Sequence, residues 1–234
     1  MRLYYEEAGV RLYCGDAREV CKHIDPQPEA VITDPVWPNS VFPDVADPQG
    51  VLNDALFPLW DVKRVVIQLG CDSDPRFLRA VPERWRFLRA CWMEYSTPSY
   101  KGRILYTGDV AYVFGEPPES KPGAHVMPGR CVSSRSDKMF RRLVGRNKNQ
   151  ANAAEQYANL PHPSPRRLQH VRWLVKWFGG ASVLDPFAGS GTTLLAAKDL
   201  GVPVTGIEIE ERFCELAVER LRQGVLFHEE QEVA

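Results

Sequence analysis

The segment from residue 181 to residue 211 constrains the fold more than any other part of the chain. It reads ASVLDPFAGSGTTLLAAKDLGVPVTGIEIEE, which predicts a strand, a glycine-rich turn, a helix and a second strand ending at Glu208. Gly189 and Gly191 would let a ligand approach the turn closely, because glycine has no Cβ. The helix after the turn would point its free N–H groups and positive dipole end at that ligand. The segment is therefore typical of an α/β protein that binds a nucleotide-like ligand.

Three kinds of binding site could explain this turn. A P-loop needs a lysine after its last glycine, and Thr192 stands there instead. A dinucleotide site requires a third glycine three residues later, where the sequence has Leu194. S-adenosylmethionine has a ribose and an adenine but no pyrophosphate, and it suits this shorter turn preceded by Asp185. Glu208 is then placed to accept both hydroxyls of a ribose. A purely structural turn is the alternative.

The second constraint is the sequence ITDPVWPNS, which follows a short apolar run. Pro35 and Pro38 cannot donate a backbone hydrogen bond, so we expect the strand to end before them. Asp34 and Trp37 would then lie on a stiff segment just past the strand tip. Both residues also have ordinary explanations, because Asp-Pro pairs form turns and a single tryptophan usually packs in a core.

The order of these two motifs indicates how the chain folds. Only 43 of the 234 residues follow Gly191, too few to cover both faces of a sheet. The remaining strands must come from the N-terminal half, including the strand before Asp34. In one parallel sheet the carboxyl ends of the strands share an edge, so Asp34 should face the glycine-rich turn. The expected fold is therefore α/β: a Rossmann-like, doubly wound and mostly parallel sheet with a loop-rich inserted region.

Hydrophobic periodicity and turn residues predict the other elements. Strands are expected at residues 10–13, 30–33, 65–69, 85–95, 109–114, 182–184 and 202–207. Helical segments are expected after residue 16 and at residues 52–60, 75–81, 165–178, 192–200 and 211–223. We expect residues 1–116 and 161–234 to form two halves of one domain.

Residues 117–160 are rich in proline, glycine, serine, arginine and asparagine, and we predict a loop-rich insertion there. Residues 121–148 contain eight lysines and arginines and one aspartate, although the whole chain has a net charge of −1. Such a segment could follow a phosphate backbone, but a solvated charged loop is as common.

Several classes of protein are disfavoured. No apolar run approaches the roughly 20 residues that cross a bilayer, and the N-terminus has acids in place of a secretory apolar core. The six cysteines are scattered without a CxxC pair, which argues against a zinc ribbon or a disulfide scaffold. We expect a cytoplasmic protein, at the nucleoid if it binds DNA, with no metal and no membrane partner.

Four motifs together resemble the DNA amino-methyltransferases, which methylate adenine N6 or cytosine N4, in the circularly permuted order of their beta group. The matches are Asp34-Pro35-Val36-Trp37 to the catalytic (D/N/S)PP(Y/F/W) motif, residues 117–160 to the target-recognition segment, His162-Pro163-Ser164-Pro165-Arg166 to the HP motif, and Phe187-Ala188-Gly189-Ser190-Gly191 to the FxGxG motif. Leu12-Tyr13-Cys14-Gly15-Asp16 is similar to an LxxGD element whose acid lies near the cofactor adenine. The sequence departs from the family at Val36, usually proline, and at Arg166-Arg167, usually Lys-Pro.

The resemblance implies S-adenosylmethionine as cofactor and double-stranded DNA as partner. Asp34 and the Pro35 carbonyl would accept the two N–H protons of the target amine, and Trp37 would stack on the flipped base. The implied cofactor-binding residues are Asp16, His162, Pro163, Ser164, Arg166, Asp185, Phe187, Gly189, Ser190, Gly191, Thr192 and Glu208. The implied DNA-binding residues are Arg135, Lys138, Arg141, Arg142, Arg146 and Lys148.

Within that family, aspartate in the first position of the catalytic motif is associated with adenine N6, and serine is associated with cytosine N4. The alternatives left open are cytosine N4, a catalytically impaired relative that binds DNA and cofactor, and a methyltransferase for RNA or a small molecule. No cleavage module is visible, so we expect a solitary modification enzyme, with a restriction partner and a homodimer left open.

Overall fold

The computed structural model describes residues 1–38, 45–101, 103–120, 128–133 and 166–223. Within these residues, one sheet has the strand order β1-β2-β9-β8-β3-β4-β6-β5-β7. The strands are β1 (Arg2–Glu7), β2 (Val10–Cys14), β3 (Ala30–Thr33), β4 (Arg64–Gly70), β5 (Phe87–Lys101), β6 (Ile104–Gly115), β7 (Arg130–Val132), β8 (Val183–Asp185) and β9 (Val204–Glu208).

The sheet is mostly parallel, as predicted. β2, β9, β8, β3 and β4 run parallel to one another. β6 is antiparallel to both β4 and β5, and β1 is antiparallel to β2. β3, from the N-terminal part of the chain, pairs directly with β8, from the C-terminal part. The carboxyl ends of these two strands therefore lie side by side, which places the two predicted motifs at one edge.

Helices cover both faces of the sheet, which confirms the doubly wound architecture. They are α1 (Ala17–Val20), α2 (Pro48–Leu56), α3 (Leu168–Phe178), α4 (Thr192–Asp199) and α5 (Glu211–Gln223), with 3₁₀ helices at Cys21–His23 and Pro75–Ala80. One core packs α3, α4 and α5 against the sheet through residues such as Leu174, Leu195 and Leu221. The opposite core includes Val20, Leu56 and other residues from α1 and α2.

Local sequence explains the elements that position the site. In α3, the side chains of Val171, Leu174, Val175 and Phe178 are buried, as the predicted apolar face requires. The helix begins at Leu168, later than predicted, because Arg167 has an extended backbone.

Other boundaries were wrong for identifiable reasons. α2 begins at Pro48 because the Asp47 carboxylate accepts a hydrogen bond from the Gly50 backbone N–H at 2.9 Å, a cap signal upstream of the predicted start. The helical segment predicted at residues 75–81 is present as a 3₁₀ helix at Pro75–Ala80. β1 was missed: it pairs with β2 across a turn in which Ala8 and Gly9 have positive φ angles of 50° and 79°.

Strands β5 and β6 are longer than predicted because they form a hairpin that continues beyond β4. The last pair between β4 and β6 is Gly70 with Asp109, whereas β5 and β6 remain paired as far as Lys101 and Ile104. β7 is a short strand within the predicted loop-rich insertion at residues 117–160, and it pairs parallel to β5. Most of that predicted insertion lies outside the described residues.

Candidate active site

The carboxyl ends of β3 and β8 are joined by a buried carboxylate. The Thr33 hydroxyl donates to Asp185 Oδ1 at 2.7 Å, and the Phe187 backbone N–H donates to the same oxygen at 3.1 Å. Burial raises the pKa of Asp185 to about 6. Asp185 was predicted to contact the cofactor, and the structure shows it linking the segment that carries Asp34 to the glycine-rich turn.

A cleft opens at this edge and is lined by residues of both predicted motifs. The predicted site residues along it are Asp34, Arg166, Asp185, Phe187, Gly189, Ser190 and Thr192. The structure thus brings together the acid encoded early in the chain and the glycine-rich turn encoded late.

The glycine-rich turn needs glycine for two different reasons. Gly189 and Gly191 have φ angles of 51° and 76°, a backbone region that other residues rarely adopt. A Cβ at Gly191 would also lie only 2.8 Å from the Cβ of Ala217 in α5. Gly189 lines the cleft, whereas Gly191 allows α5 to pack against the start of α4.

Glu208 holds this turn from the end of β9. Its Oε2 accepts the Gly189 N–H and its Oε1 accepts the Glu210 N–H, both at 2.8 Å. The carboxylate is buried, and burial raises the pKa of Glu208. A carboxylate has about four acceptor sites, so the predicted contact with ribose hydroxyls is compatible with these bonds and stays a prediction.

Arg220 fixes the same turn from the other side, and nothing in the sequence pattern singled it out. From α5 its Nη1 donates to the Ser190 carbonyl, to Ser190 Oγ at 2.8 Å and to Thr192 Oγ1 at 3.2 Å. Burial lowers the pKa of Arg220 to about 10. The sequence feature that could have identified it is an arginine on the helix face that also carries Ala217 and Leu221.

The candidate catalytic acid, Asp34, is bound by Arg166. Arg166 Nε donates to Asp34 Oδ2 and Nη2 donates to Asp34 Oδ1, both at 2.7 Å. The third nitrogen, Nη1, lies 3.1 Å from Oδ1 of Asp109 on β6. Burial raises the pKa of Asp34, and the Arg166 charge opposes that shift. The guanidinium of Arg166 contacts these two acids, and its predicted contact with the cofactor stays a prediction. Asp109 was not predicted at all.

The other two predicted catalytic residues complete the segment after β3. Pro35 is buried and Trp37 is half-buried. The Trp37 ring centroid lies 5.1 Å from Arg166 Cζ, and its Cζ2 would be 3.9 Å from a Cβ built at Gly70, the last residue of β4. Trp37 is therefore an aromatic side chain beside the Asp34–Arg166 pair, and it is partly buried against the core that includes Val20 and Leu56.

Asp16 lies at the same edge of the sheet, because the preceding strand pairs Cys14 with Glu208. Its carboxylate caps α1 by accepting the Arg18 N–H at 2.9 Å, and it forms an ion pair with the Arg18 side chain at 2.6 Å. The cap that we considered as an ordinary explanation is present, and the adenine contact stays a prediction.

The remaining predicted site residues lie outside the described residues. They are His162, Pro163 and Ser164 of the HP motif and the six bases Arg135, Lys138, Arg141, Arg142, Arg146 and Lys148. In the part of the chain that the structure covers, no group of three or more His, Cys, Asp or Glu side chains is arranged to hold a metal ion. Among the same residues, no helix combines the length and apolar character needed to span a bilayer.

Comparison with known proteins identifies the family of the chain. A family model described as DNA methylase matches residues 32–219. Because this match covers most of the chain, the protein belongs to the DNA methylase family, and the resemblance to the N6 and N4 enzymes is confirmed.

Particular relatives share a short segment or the fold. The type II methyltransferase M2.LlaDCHI of Lactococcus lactis subsp. cremoris is 44% identical over 45 residues, which span 19% of this chain and only 17% of that protein. The M1.HpyAVI–S-adenosylmethionine complex superposes with a TM-score of 0.61 at 19% identity, covering 91% of this chain and 99% of that one. The PvuII DNA methyltransferase, cytosine-N4-specific, also has a TM-score of 0.61, at 14% identity, covering 93% of this chain and 88% of that one. These two structures show the methyltransferase fold.

Proposed function

We propose that this protein is a DNA methyltransferase that transfers the methyl group of S-adenosylmethionine to the N6 amine of adenine in duplex DNA. The observation that carries the proposal is the single cleft in which Asp34 and the glycine-rich turn meet. The cleft thereby places an acceptor for an amine proton beside the turn that would bind the methyl donor.

Three features of the turn fit S-adenosylmethionine. Gly189 brings the backbone to the wall of the cleft without a Cβ. The first N–H groups of α4, beginning at Thr192, have no partner within the helix and can meet polar groups of a ligand. The Glu208 carboxylate keeps lone pairs for hydroxyl groups. When bound, S-adenosylmethionine supplies an electrophilic methyl group.

Asp34 and Pro35 activate the amine. The lone pair of an exocyclic amine is delocalised into the base, and accepting both of its N–H protons in hydrogen bonds localises that pair on nitrogen. The Asp34 carboxylate provides one acceptor and the Pro35 carbonyl provides the other. Trp37 stacks on the base after it leaves the duplex. The geometry supplies orientation and hydrogen-bond acceptors, and the reaction needs no enzyme nucleophile.

Adenine is the preferred base because Asp34 occupies the position at which the resembling family has aspartate for N6 and serine for N4. Cytosine N4 is the second candidate, since the PvuII enzyme that shares this fold over most of the chain is cytosine-N4-specific. Duplex DNA is the preferred substrate because the segment between residues 121 and 148 is rich in lysine and arginine, whose charges can neutralise backbone phosphates.

The test is incubation of the protein with methyl-labelled S-adenosylmethionine and unmethylated genomic DNA, followed by digestion and identification of the labelled nucleoside. N6-methyladenine is expected, and N4-methylcytosine would replace the proposal by its second candidate. A matched pair of variants controls for contaminants: Asp34→Ala should be inactive, whereas Asp61→Ala, which changes an exposed acid before β4, should retain activity. Cofactor binding without any labelled DNA would indicate a catalytically impaired relative and overturn the proposal.

A further inference from the structure

Arg166 is held between two carboxylates, and we call Asp34, Arg166 and Asp109 the acid–arginine–acid bridge. Asp34 is bound through two parallel contacts of 2.7 Å and Asp109 through one contact of 3.1 Å. We propose that Asp109 is a positioning residue for methyl transfer: through Arg166 it sets the orientation of the Asp34 carboxylate. This inference rests on the proposed function.

The exposure of the three side chains gives the bridge a direction. The Asp109 side chain is 4% exposed, that of Arg166 is 9% exposed and that of Asp34 is 27% exposed. The bridge therefore runs from the interior of the sheet to the cleft. Asp109 is the buried anchor, and Asp34 is the end that a substrate can reach.

The guanidinium transmits orientation because it is planar and rigid. Once Nη1 is fixed on Asp109, the opposite edge, formed by Nε and Nη2, can meet a carboxylate only in one plane. A lysine, which the resembling family usually has here, carries a point charge and cannot impose that plane. The arginine at position 166 and the buried acid at position 109 thus work as a pair.

The anchor itself is held by the sheet. Asp109 pairs with Gly70 of β4 on one side and with Met93 of β5 on the other. The Tyr95 hydroxyl lies close to this carboxylate. Asp34, by contrast, lies on a segment after β3 that has no ladder hydrogen bonds of its own. The bridge therefore links Asp34, which lies in a loop, to Asp109, whose backbone is fixed between two neighbouring strands.

The bridge leaves Asp34 able to act on a substrate. Each Asp34 oxygen receives one N–H from Arg166, and a carboxylate oxygen has two lone pairs, so one lone pair per oxygen is left for the amine. Without Arg166, two carboxylates would face each other in a buried site, and one of them would take up a proton. A protonated Asp34 would be a donor where the reaction requires an acceptor.

The test compares single-turnover methyl transfer to DNA in the wild type, Asp109→Asn and Arg166→Lys, with Asp61→Asn as the control. Asp109→Asn and Arg166→Lys should lower the rate by roughly 10- to 100-fold, the effect of a misplaced reacting group. The dissociation constant for S-adenosylmethionine should change less than about twofold, because the changed atoms face Asp34 rather than the glycine-rich turn. Asp61→Asn should match the wild type in both measurements.

A second experiment separates positioning from a general structural effect. In Arg166→Ala, millimolar guanidinium ions can enter the space left by the side chain and bridge the two acids. They should restore part of the rate in Arg166→Ala and much less in the double variant Arg166→Ala/Asp109→Asn. A purely structural role predicts no rescue. Guanidinium added to the wild type controls for non-specific effects.

The outcomes distinguish the two levels of the proposal. A wild-type protein that transfers no methyl group would overturn the proposed function and this inference with it. A wild type that transfers methyl groups while Asp109→Asn keeps its rate would overturn the inference alone. If Asp109→Asn does not fold, the guanidinium rescue of Arg166→Ala decides: rescue supports the bridge and its absence overturns it.

Discussion

Arg64 and Arg166 stand at opposite edges of the sheet and have different partners. Arg64 begins β4 at the amino edge and donates to the Phe178 carbonyl at 3.2 Å, to the Glu116 carbonyl at 3.3 Å and to Glu29 at 3.1 Å. Arg166, at the carboxyl edge, is instead bound by two carboxylates.

The difference in partners indicates a difference in purpose. Arg64 satisfies carbonyls at the ends of α3 and β6, and its acid partner Glu29 also accepts the Ala181 N–H at 2.9 Å. All of these groups belong to the framework, so Arg64 contributes to stability. One partner of Arg166 is Asp34, which lines the cleft. In the proposed function, this carboxylate accepts a hydrogen bond from the substrate amine. This comparison predicts that the amino edge maintains the fold and that the carboxyl edge orients the proposed chemistry.

The strongest test of this comparison removes the acid that faces the cleft. Asp34→Ala should lower the single-turnover rate of methyl transfer by roughly 100- to 1000-fold, the usual effect of deleting an oriented electrostatic group. Cofactor affinity, measured by calorimetry, should be nearly unchanged. Near-normal turnover would mean that the carboxyl edge does not orient the chemistry in the way described.

The converse change at the amino edge should affect stability alone. Arg64→Met removes one partner of a buried ion pair and should lower the free energy of unfolding by about 3 kcal/mol in urea titrations. The activity of the folded protein should match the wild type. Arg76→Met, which breaks an exposed pair with Asp74, is the control and should leave stability almost unchanged. Loss of activity in folded Arg64→Met would break the distinction between the two edges.

The buried Asp185 should make stability depend on pH in an unusual direction. Its folded-state pKa of about 6 lies above the ordinary aspartate value, so the folded protein binds a proton more tightly than the unfolded chain. This contribution to stability is present at low pH and is lost as the pH rises through about 6.

Asp185→Asn should abolish that contribution. The free energy of unfolding of the wild type, relative to the variant, should fall by about 2 kcal/mol between roughly pH 4 and pH 7. Chemical denaturation of both proteins across this range measures the difference. A relative stability that rises with pH would contradict the sign.

The smallest effect is expected at Asp16, which has a framework role although it lies at the carboxyl edge. Asp16→Ala removes the cap of α1 and should cost about 1 kcal/mol of stability, whereas Asp16→Ser keeps a capping oxygen and should restore it. Asp16→Ser should still bind S-adenosylmethionine more weakly if the predicted adenine contact exists. Unchanged cofactor affinity in Asp16→Ser would leave Asp16 as a helix cap only.

The parts of the site that could be predicted are encoded locally. The end of β3 follows from Pro35, and the turn after β8 follows from Gly189 and Gly191, because backbone restrictions act on neighbouring residues. Their meeting at one edge followed from the number of residues left after the turn. These inferences needed only residue types, spacing and the geometry of a parallel sheet.

The parts that could not be predicted depend on pairing across the chain. Asp109 reaches the site only because β6 lies antiparallel beside β4, and Arg220 reaches the turn only because α5 packs on α4. Residue type showed that Asp185 and Glu208 are acceptors but not which donors they meet. The structure assigns those oxygens to Thr33, Phe187, Gly189 and Glu210.

The account depends on the cleft holding both the methyl donor and the acid that receives the amine. A crystal structure of the protein with S-adenosylmethionine tests this directly. One amine nitrogen must lie about 3 Å from both the methyl carbon and an Asp34 oxygen, with its lone pair and its N–H bond in different directions, so the account predicts a separation of about 5 Å between these two atoms and a methyl group that points into the space beside Asp34. A cofactor bound outside the cleft, or one whose methyl group points away from Asp34, would contradict it.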